Sequence, residues 1–311
     1  MGIERYGIYL PHLSRIYRFI ARDKFLLAFF IVLVSIVIMS ALADLIAPSD
    51  PYRINLAEKL SPPSLSHIMG TDQLGRDLFS RILYGGRYTL MLSAASIALA
   101  LLIGLAVGTI SGYYRGWLDL VVQRIVDILM AFPTIVLAIA LATFIGSKPE
   151  TLVIAVGIAE SPFMVRVIRS AVLGIREMPY IEAVKLMGYS DLYVIARHVI
   201  PNIVYVIIPQ TTLQMGSAIL TIAALGFLGI GIKPPTPEWG SMLNEARTYL
   251  MDHPHLLVFP GLMIFLAIVS FNIIGEGLRN ILDPKARVTY NIIGVRTGSI
   301  FRKPSGDRHG G

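Results

Sequence analysis

The side chains able to do chemistry are few, and most combinations of them fall short of a catalytic set. Asp252-His253-Pro254-His255 places two imidazoles around a proline, which supplies no recognisable metal-ligand pattern and reads as an external loop. The chain has no cysteine, which removes disulfides, thiolate metal sites and cysteine nucleophiles. No Gly-x-x-x-x-Gly-Lys-Ser/Thr loop occurs, so the chain is not expected to bind ATP itself. There is no His-Glu-x-x-His, and His12, His67, His198, His253, His255 and His309 all lie outside the long apolar runs, against a zinc membrane protease. No catalytic residue, metal ligand or cofactor of its own is assigned. What is left is a set of polar groups inside or beside apolar sequence: Glu160 with Ser161, Gln210 and Gln214, the cluster Asp119, Arg124 and Asp127, and the trio Asp72, Arg76 and Asp77.

The elements that must position these groups are membrane helices. Of the 311 residues 55% are hydrophobic and only 15% charged, more apolar than a soluble core requires. A hydrocarbon layer about 30 Å thick takes roughly 20 apolar residues as a helix. Six such runs occur, at 25–47, 88–110, 118–145, 151–172, 202–226 and 256–278. The expected fold is an all-α integral membrane protein with six transmembrane helices. Its parts are an N-terminal segment 1–24, a first helix 25–47, an external loop 48–87, a five-helix core 88–287 and a basic tail 288–311. Glu160 interrupts the fourth span, and Arg166 and Arg169 near its end have stems long enough to snorkel to the headgroups. The first run is preceded by too long a charged segment for a cleaved signal peptide and is expected to be retained.

Lys and Arg are spread unevenly between the two sides. The N-terminal segment (Arg5, Arg15, Arg18, Arg22, Lys24), Arg115, Arg124, the stretch Arg166 to Arg197 and the tail hold most of the 27. The positive-inside rule therefore puts both termini, and the stretch between the fourth and fifth spans, in the cytoplasm. The same bias accounts for the net charge of +7, so no nucleic-acid partner is needed to explain it.

That stretch, YIEAVKLMGYSDLYVIARHVIP from Tyr180 to Pro201, is too charged to enter a bilayer. Pro179 suits a first helical turn, Glu182 places a carboxylate near the positive helix end, and Gly188 suits a left-handed exit. Ser190 can cap a second helix that Pro201 is expected to stop before the fifth span. By periodicity alone the passage could equally be an amphipathic linker lying on headgroups.

Its residues carry a resemblance. Glu182-Ala183-Val184, then Gly188, then Ile200-Pro201 resemble the Glu-Ala-Ala loop of ABC importer permeases, with Val184 in place of Ala and Ile200 in place of Leu. MGTDQLGRDLFSRILYGGRYTL (Met69–Leu90), Asp119–Thr134, GFLGIGIKPPTPEWGSMLNEARTYL (Gly226–Leu250) and Phe259–Arg287 are similar to the C-type permeases of the dipeptide, oligopeptide and nickel importers. The likeness implies a cell-membrane transport subunit, not an enzyme. Glu182, Ala183, Val184, Gly188, Ile200 and Pro201 in the loop 174–201 would form the coupling helix that docks on an ATPase. The implied partners are a second homologous permease, two ATP-binding subunits that hold ATP and Mg, an extracellular solute-binding protein and the lipid bilayer.

The implied cargo is a dipeptide or oligopeptide, with nickel or an oligosaccharide as alternatives and Glu160, Ser161, Gln210 and Gln214 as pathway residues. Ser161-Pro162 stands where the family usually has Trp-Pro. Glu160 could meet a cationic substrate, face a water-filled cavity or pair with a neighbouring helix. A self-contained secondary transporter would need intramembrane ionisable groups, for which Asp127 and Glu160 are the plausible carboxylates. Gly104, Gly108 and Gly112 recur on one helical face, which suits close helix packing. Arg124 and Asp127, three apart, suit a local ion pair, and Pro133 and Pro162 suit kinks. Asp72, Arg76 and Asp77 could touch the external protein or form a local salt-bridge network.

Overall fold

The structure, a computed structural model, describes residues 23–146 and 148–282. The basic tail 288–311 and nearly all of the N-terminal segment 1–24 lie outside these residues, with His12 and His309. Helix α1 is Lys24–Ala41, started by the Asp23 carboxylate, which accepts from the amides of Phe25 and Leu26. One further turn, Ala43–Ile46, ends the first span. Helix α2 covers Leu78–Tyr114, α3 Gly116–Met130, α4 Thr134–Ile145 and α5 Pro149–Arg176. The short α6 is Pro179–Leu186, α7 covers Asp191–Phe227, α8 is Trp239–Ala246 and α9 is His255–Leu282. Among the described residues the only β pairing is a single bridge, Thr71 with Asp77. Among the described residues five helices are long and apolar enough to span a bilayer, or six if α3 and α4 count as one bent span. The all-α membrane fold expected from composition is therefore present.

Three boundaries differ from expectation. The second span begins at Leu78, inside the expected external loop 48–87, because Asp77 caps it by accepting from the Ser80 amide at 2.8 Å and Arg81 within its first turns is paired. The third span is broken rather than continuous: α3 and α4 meet at 91° around Ala131–Pro133. Pro133 has extended ψ and lacks an N–H, so it ends one helix and starts the next. The fifth span begins at Asp191, since Pro201 does not stop the helix. The turn Ile195–Val199 just before it is widened to π geometry, and Asn202 donates its side-chain amide to the His198 carbonyl at 2.7 Å. Such a bulge accommodates a proline ring that a regular helix would not.

Close helix contacts come from small residues, as expected where lipid removes the hydrophobic drive between helices. A Cβ on Gly104 would lie 2.5 Å from Met164, one on Gly108 2.7 Å from the Val165 carbonyl oxygen, and one on Gly112 2.9 Å from that of Arg169. The glycine face of α2 is thus the seat of α5. Helix α1 lies against α2 and α9, with Ser40 over Gly86 and Leu26 over Gly277. At the Leu78 end of α2, the loop after α7 folds back so that the buried Trp239 packs on Gly85 and Gly86 and donates its indole N–H to the Ile82 carbonyl at 2.9 Å.

Candidate functional site

The Tyr114 end of α2 carries the passage singled out by its sequence. Helix α6 is anchored by Ile181 and Val184, buried among Tyr113, Ile175, Val194, Val199 and Ile203. Its other face, with Glu182, Ala183, Leu186 and Met187, is open. Gly188 turns the chain at φ +85°, where only glycine avoids a Cβ penalty, and a side chain there would meet no neighbour. Ser190 caps the start of α7 by accepting from the Tyr193 amide. The exposed surface is apolar as well as charged: Leu186 is 83% exposed and Leu192 76%. Two polar ties hold the unit to the bundle. The Tyr113 hydroxyl donates to Asp191 at 2.7 Å, and the Lys185 ammonium lies 4.4 Å above the Tyr113 ring centre while approaching Asp191 at 3.5 Å.

Expectation and geometry part at two of the six loop residues. Val184 faces inward and holds α6 in place, so it has no docking surface to offer. Pro201 lies within continuous helix, half-buried beside Ile200, rather than at a helix stop. Burial of the tyrosine ring pushes the Tyr180 hydroxyl up from its ordinary value, and that hydroxyl accepts from Asn202 at 3.3 Å and donates to the His198 carbonyl at 3.4 Å.

Midway along the bundle, the break between α3 and α4 leaves a cavity of about 270 Å³ against α5 and α7. Glu160, Gln210 and Gln214 all line it, with Thr134 and Ser217. Ser161 does not: its hydroxyl donates back to the Ile158 carbonyl at 2.9 Å. Ser217 was not anticipated, although it lies one turn from Gln214 and its hydroxyl donates to Glu160 Oε1 at 2.7 Å.

The charged residues of α3 take their close partners from α5 rather than from α3 itself. Asp119 on α3 accepts from Arg169 on α5 through both oxygens, each at 2.6 Å. Asp127 takes Arg166 as its close partner, and Arg124 stands 3.9 Å away, so the expected i,i+3 pair is secondary. At the Leu78 end, Arg76 binds Asp72 at 2.6 Å and Glu245 at 2.8 Å, and Arg81 reaches the same two carboxylates at 3.3 and 3.2 Å. Both guanidiniums are almost wholly buried. Glu238 caps α8 by accepting from the amides of Gly240 and Ser241 and from Thr89, while burial pushes its carboxyl up from the ordinary range.

The long apolar helices define a membrane bundle, and the short α6 leaves an open face at its Tyr114 end. Residues 100–288 match the family model "Binding-protein-dependent transport system inner membrane component", and residues 13–63 match "N-terminal TM domain of oligopeptide transport permease C". The chain belongs to this family of ABC importer permeases. It is 40% identical over 266 residues to the dipeptide transport system permease protein DppC of Alkalihalophilus pseudofirmus, covering 86% of this chain and 88% of that one. It is 44% identical over 225 residues to the glutathione transport system permease protein GsiD of Pectobacterium atrosepticum, covering 72% and 75%. An inward-facing structure of the MetNI methionine ABC transporter superposes with a TM-score of 0.54 at 18% identity, over 65% of this chain and 96% of that chain, a likeness of fold. Family membership sets aside the self-contained secondary transporter.

Proposed function

We propose that this chain is one half of the translocation pathway of a short-peptide importer. A second related permease would supply the other half, two ATPase subunits would dock on α6, and an external binding protein would deliver the cargo. Both termini and α6 then lie in the cytoplasm, as the distribution of Lys and Arg indicates. ATP and Mg would sit on the partner subunits. The peptide cargo is supported by relatives named for dipeptide and glutathione transport.

The observation that carries the coupling role is the two-sided build of α6: Ile181 and Val184 fasten it to the bundle, while Glu182, Ala183 and Leu186 stay open to a partner. Closure of the ATPase pair would push on this open face. The displacement would pass to α7 through the Gly188 turn, and to α2 through Tyr113 and Asp191. Because α7 and α5 line the central cavity, a tilt at their ends changes access to Glu160 and Gln214. The chain would do mechanical work and make or break no covalent bond.

Affinity purification from the native membrane, followed by mass spectrometry, tests the assembly. A second permease and ATPases should be recovered, and uptake of dialanine by the reconstituted complex should require ATP. A lone chain that drives uptake without ATP would overturn the reading.

A further inference from the structure

The central cavity collects hydrogen-bond acceptors without a cation to match them. Glu160 is 4% exposed. Its Oε1 accepts from Ser217, but its Oε2 has only Gln214 Nε2 at 3.5 Å. The other amide atom, Gln214 Oε1, is buried with no hydrogen-bond partner among the described residues. The remaining described lining, which includes Met130, Phe132 and Phe163, holds no Lys, Arg or His. A carboxylate and an unpaired amide oxygen withdrawn from water are costly unless a ligand compensates them. A cationic group that carries several donors would compensate both. A metal is a poor fit, because no three His, Asp or Glu side chains converge among the described residues. A primary ammonium carries three N–H donors and one positive charge, and fits both deficits. The cavity has room for about nine waters at about 30 Å³ each, enough for the amine-bearing end of a small solute.

We propose that Glu160 and Gln214 form a transit subsite for the primary ammonium group of the cargo, its free amino terminus or a lysine-type side chain. The subsite rests on the peptide reading above and narrows it to amine-bearing peptides. Ser217 orients the carboxylate from one side and leaves Oε2 for the ligand.

The chain has no cysteine, so a single thiol can report occupancy. Met130 lines the cavity and is 38% exposed, which makes Met130→Cys reachable. In the complete importer complex, the rate of maleimide labelling at this position is followed by mass spectrometry with three probes. Dialanine carries a terminal amine, N-acetyl-alanyl-lysine a side-chain amine, and N-acetyl-dialanine neither. Dialanine or N-acetyl-alanyl-lysine should slow labelling, whichever does so naming the source of the ammonium, and N-acetyl-dialanine should not. Glu160→Gln should weaken that protection by about tenfold, the loss of one charge-assisted hydrogen bond, and Glu160→Asp should retain part of it. Equal protection by N-acetyl-dialanine, protection that survives Glu160→Gln, or no protection by either amine overturns the subsite. Dialanine uptake measured in parallel separates the two readings. Uptake without protection removes the subsite alone, whereas absence of ATP-driven uptake removes the peptide reading while labelling still decides the subsite.

Discussion

The two ends of α2 are built on opposite plans. At the Leu78 end, two buried arginines share two carboxylates, and Trp239 and the capped α8 close over them, so that charges pair inside the protein, with Glu245 Oε1 alone of the four carboxylate oxygens left without a hydrogen-bond partner among the described residues. At the Tyr114 end, a helix of two turns is pinned by a few aliphatic side chains, and Leu186 on it, Met187 just after it and Leu192 at the start of α7 face the outside. The first end resists movement, because displacing any member leaves a buried charge without its partner. The second leaves large apolar side chains open and has no buried arginine–carboxylate cluster among the described residues. In the coupling proposed above, the first end would act as a brace that fixes the bundle and the second as a lever that receives force.

If the brace is what its burial implies, Arg76→Ala should be the most damaging substitution. It strips Asp72 and Glu245 of their nearest cation, and removing one member of a buried pair costs about 3–5 kcal/mol. Thermal unfolding in detergent should shift sharply downward, and membrane abundance should fall; an unchanged melting temperature would deny the brace. Gly108→Val comes next. Its Cβ would sit 2.7 Å from the Val165 carbonyl oxygen, and overpacking of this kind costs about 1–3 kcal/mol. The α2–α5 contact should open, read as increased proteolysis at equal expression.

How far these plans could be read beforehand differs between the two ends. The lever was legible because its signals are local: Pro179, Glu182, Gly188 and Ser190 each favour one conformation within a few residues. Of the brace only the local Asp72–Arg76 pair was legible, because Glu245 lies 169 residues from Arg76 and 164 from Arg81. Before pairing, those arginines look like loop residues, which is why the second span was expected ten residues late. Pro201 misled for a related reason, since the π turn that accommodates it leaves no mark in residue type. Glu160, Gln210 and Gln214 stood out as polar groups in apolar runs. Ser217 did not, because serine is commonplace in membrane helices, and Ser161 drew notice as part of the Ser161-Pro162 pair beside Glu160.

Substitutions at the lever should separate coupling from folding. Gly188→Val loads a left-handed position with a β-branched residue at a cost of about 1–2 kcal/mol, with no clash because the surrounding space is open. Insertion should survive while ATP-driven uptake falls, compared at equal membrane abundance; wild-type uptake would remove Gly188 from the mechanism. Leu186→Asp changes a residue that is 83% exposed, so stability should move by less than about 0.5 kcal/mol. ATPase subunits should nonetheless be lost from the purified complex. If they stay bound, the open face of α6 is not where they dock.

The smallest effect expected is also the one that distinguishes the two ends by pH. His67 lies in the loop before α2, with Nδ1 2.8 Å from Asp77 and Nε2 3.3 Å from Glu58. The bond to Asp77 raises its pKa above the ordinary imidazole value of about 6.5, outweighing the opposing effect of burial. The folded protein therefore holds the proton more tightly than the unfolded chain. That stabilisation is complete below about pH 6.5 and is lost as pH rises through the raised value. Asp77 also caps α2, so loss of the imidazolium loosens the attachment of the loop to the helix start rather than the helix itself. Hydrogen exchange, expressed as protection factors to remove the intrinsic pH dependence, should show residues 55–77 losing protection between pH 6 and pH 9. In His67→Gln that slope should flatten; a slope equal to wild type would mean that another group controls the loop, and the brace would carry no proton-linked part at this position.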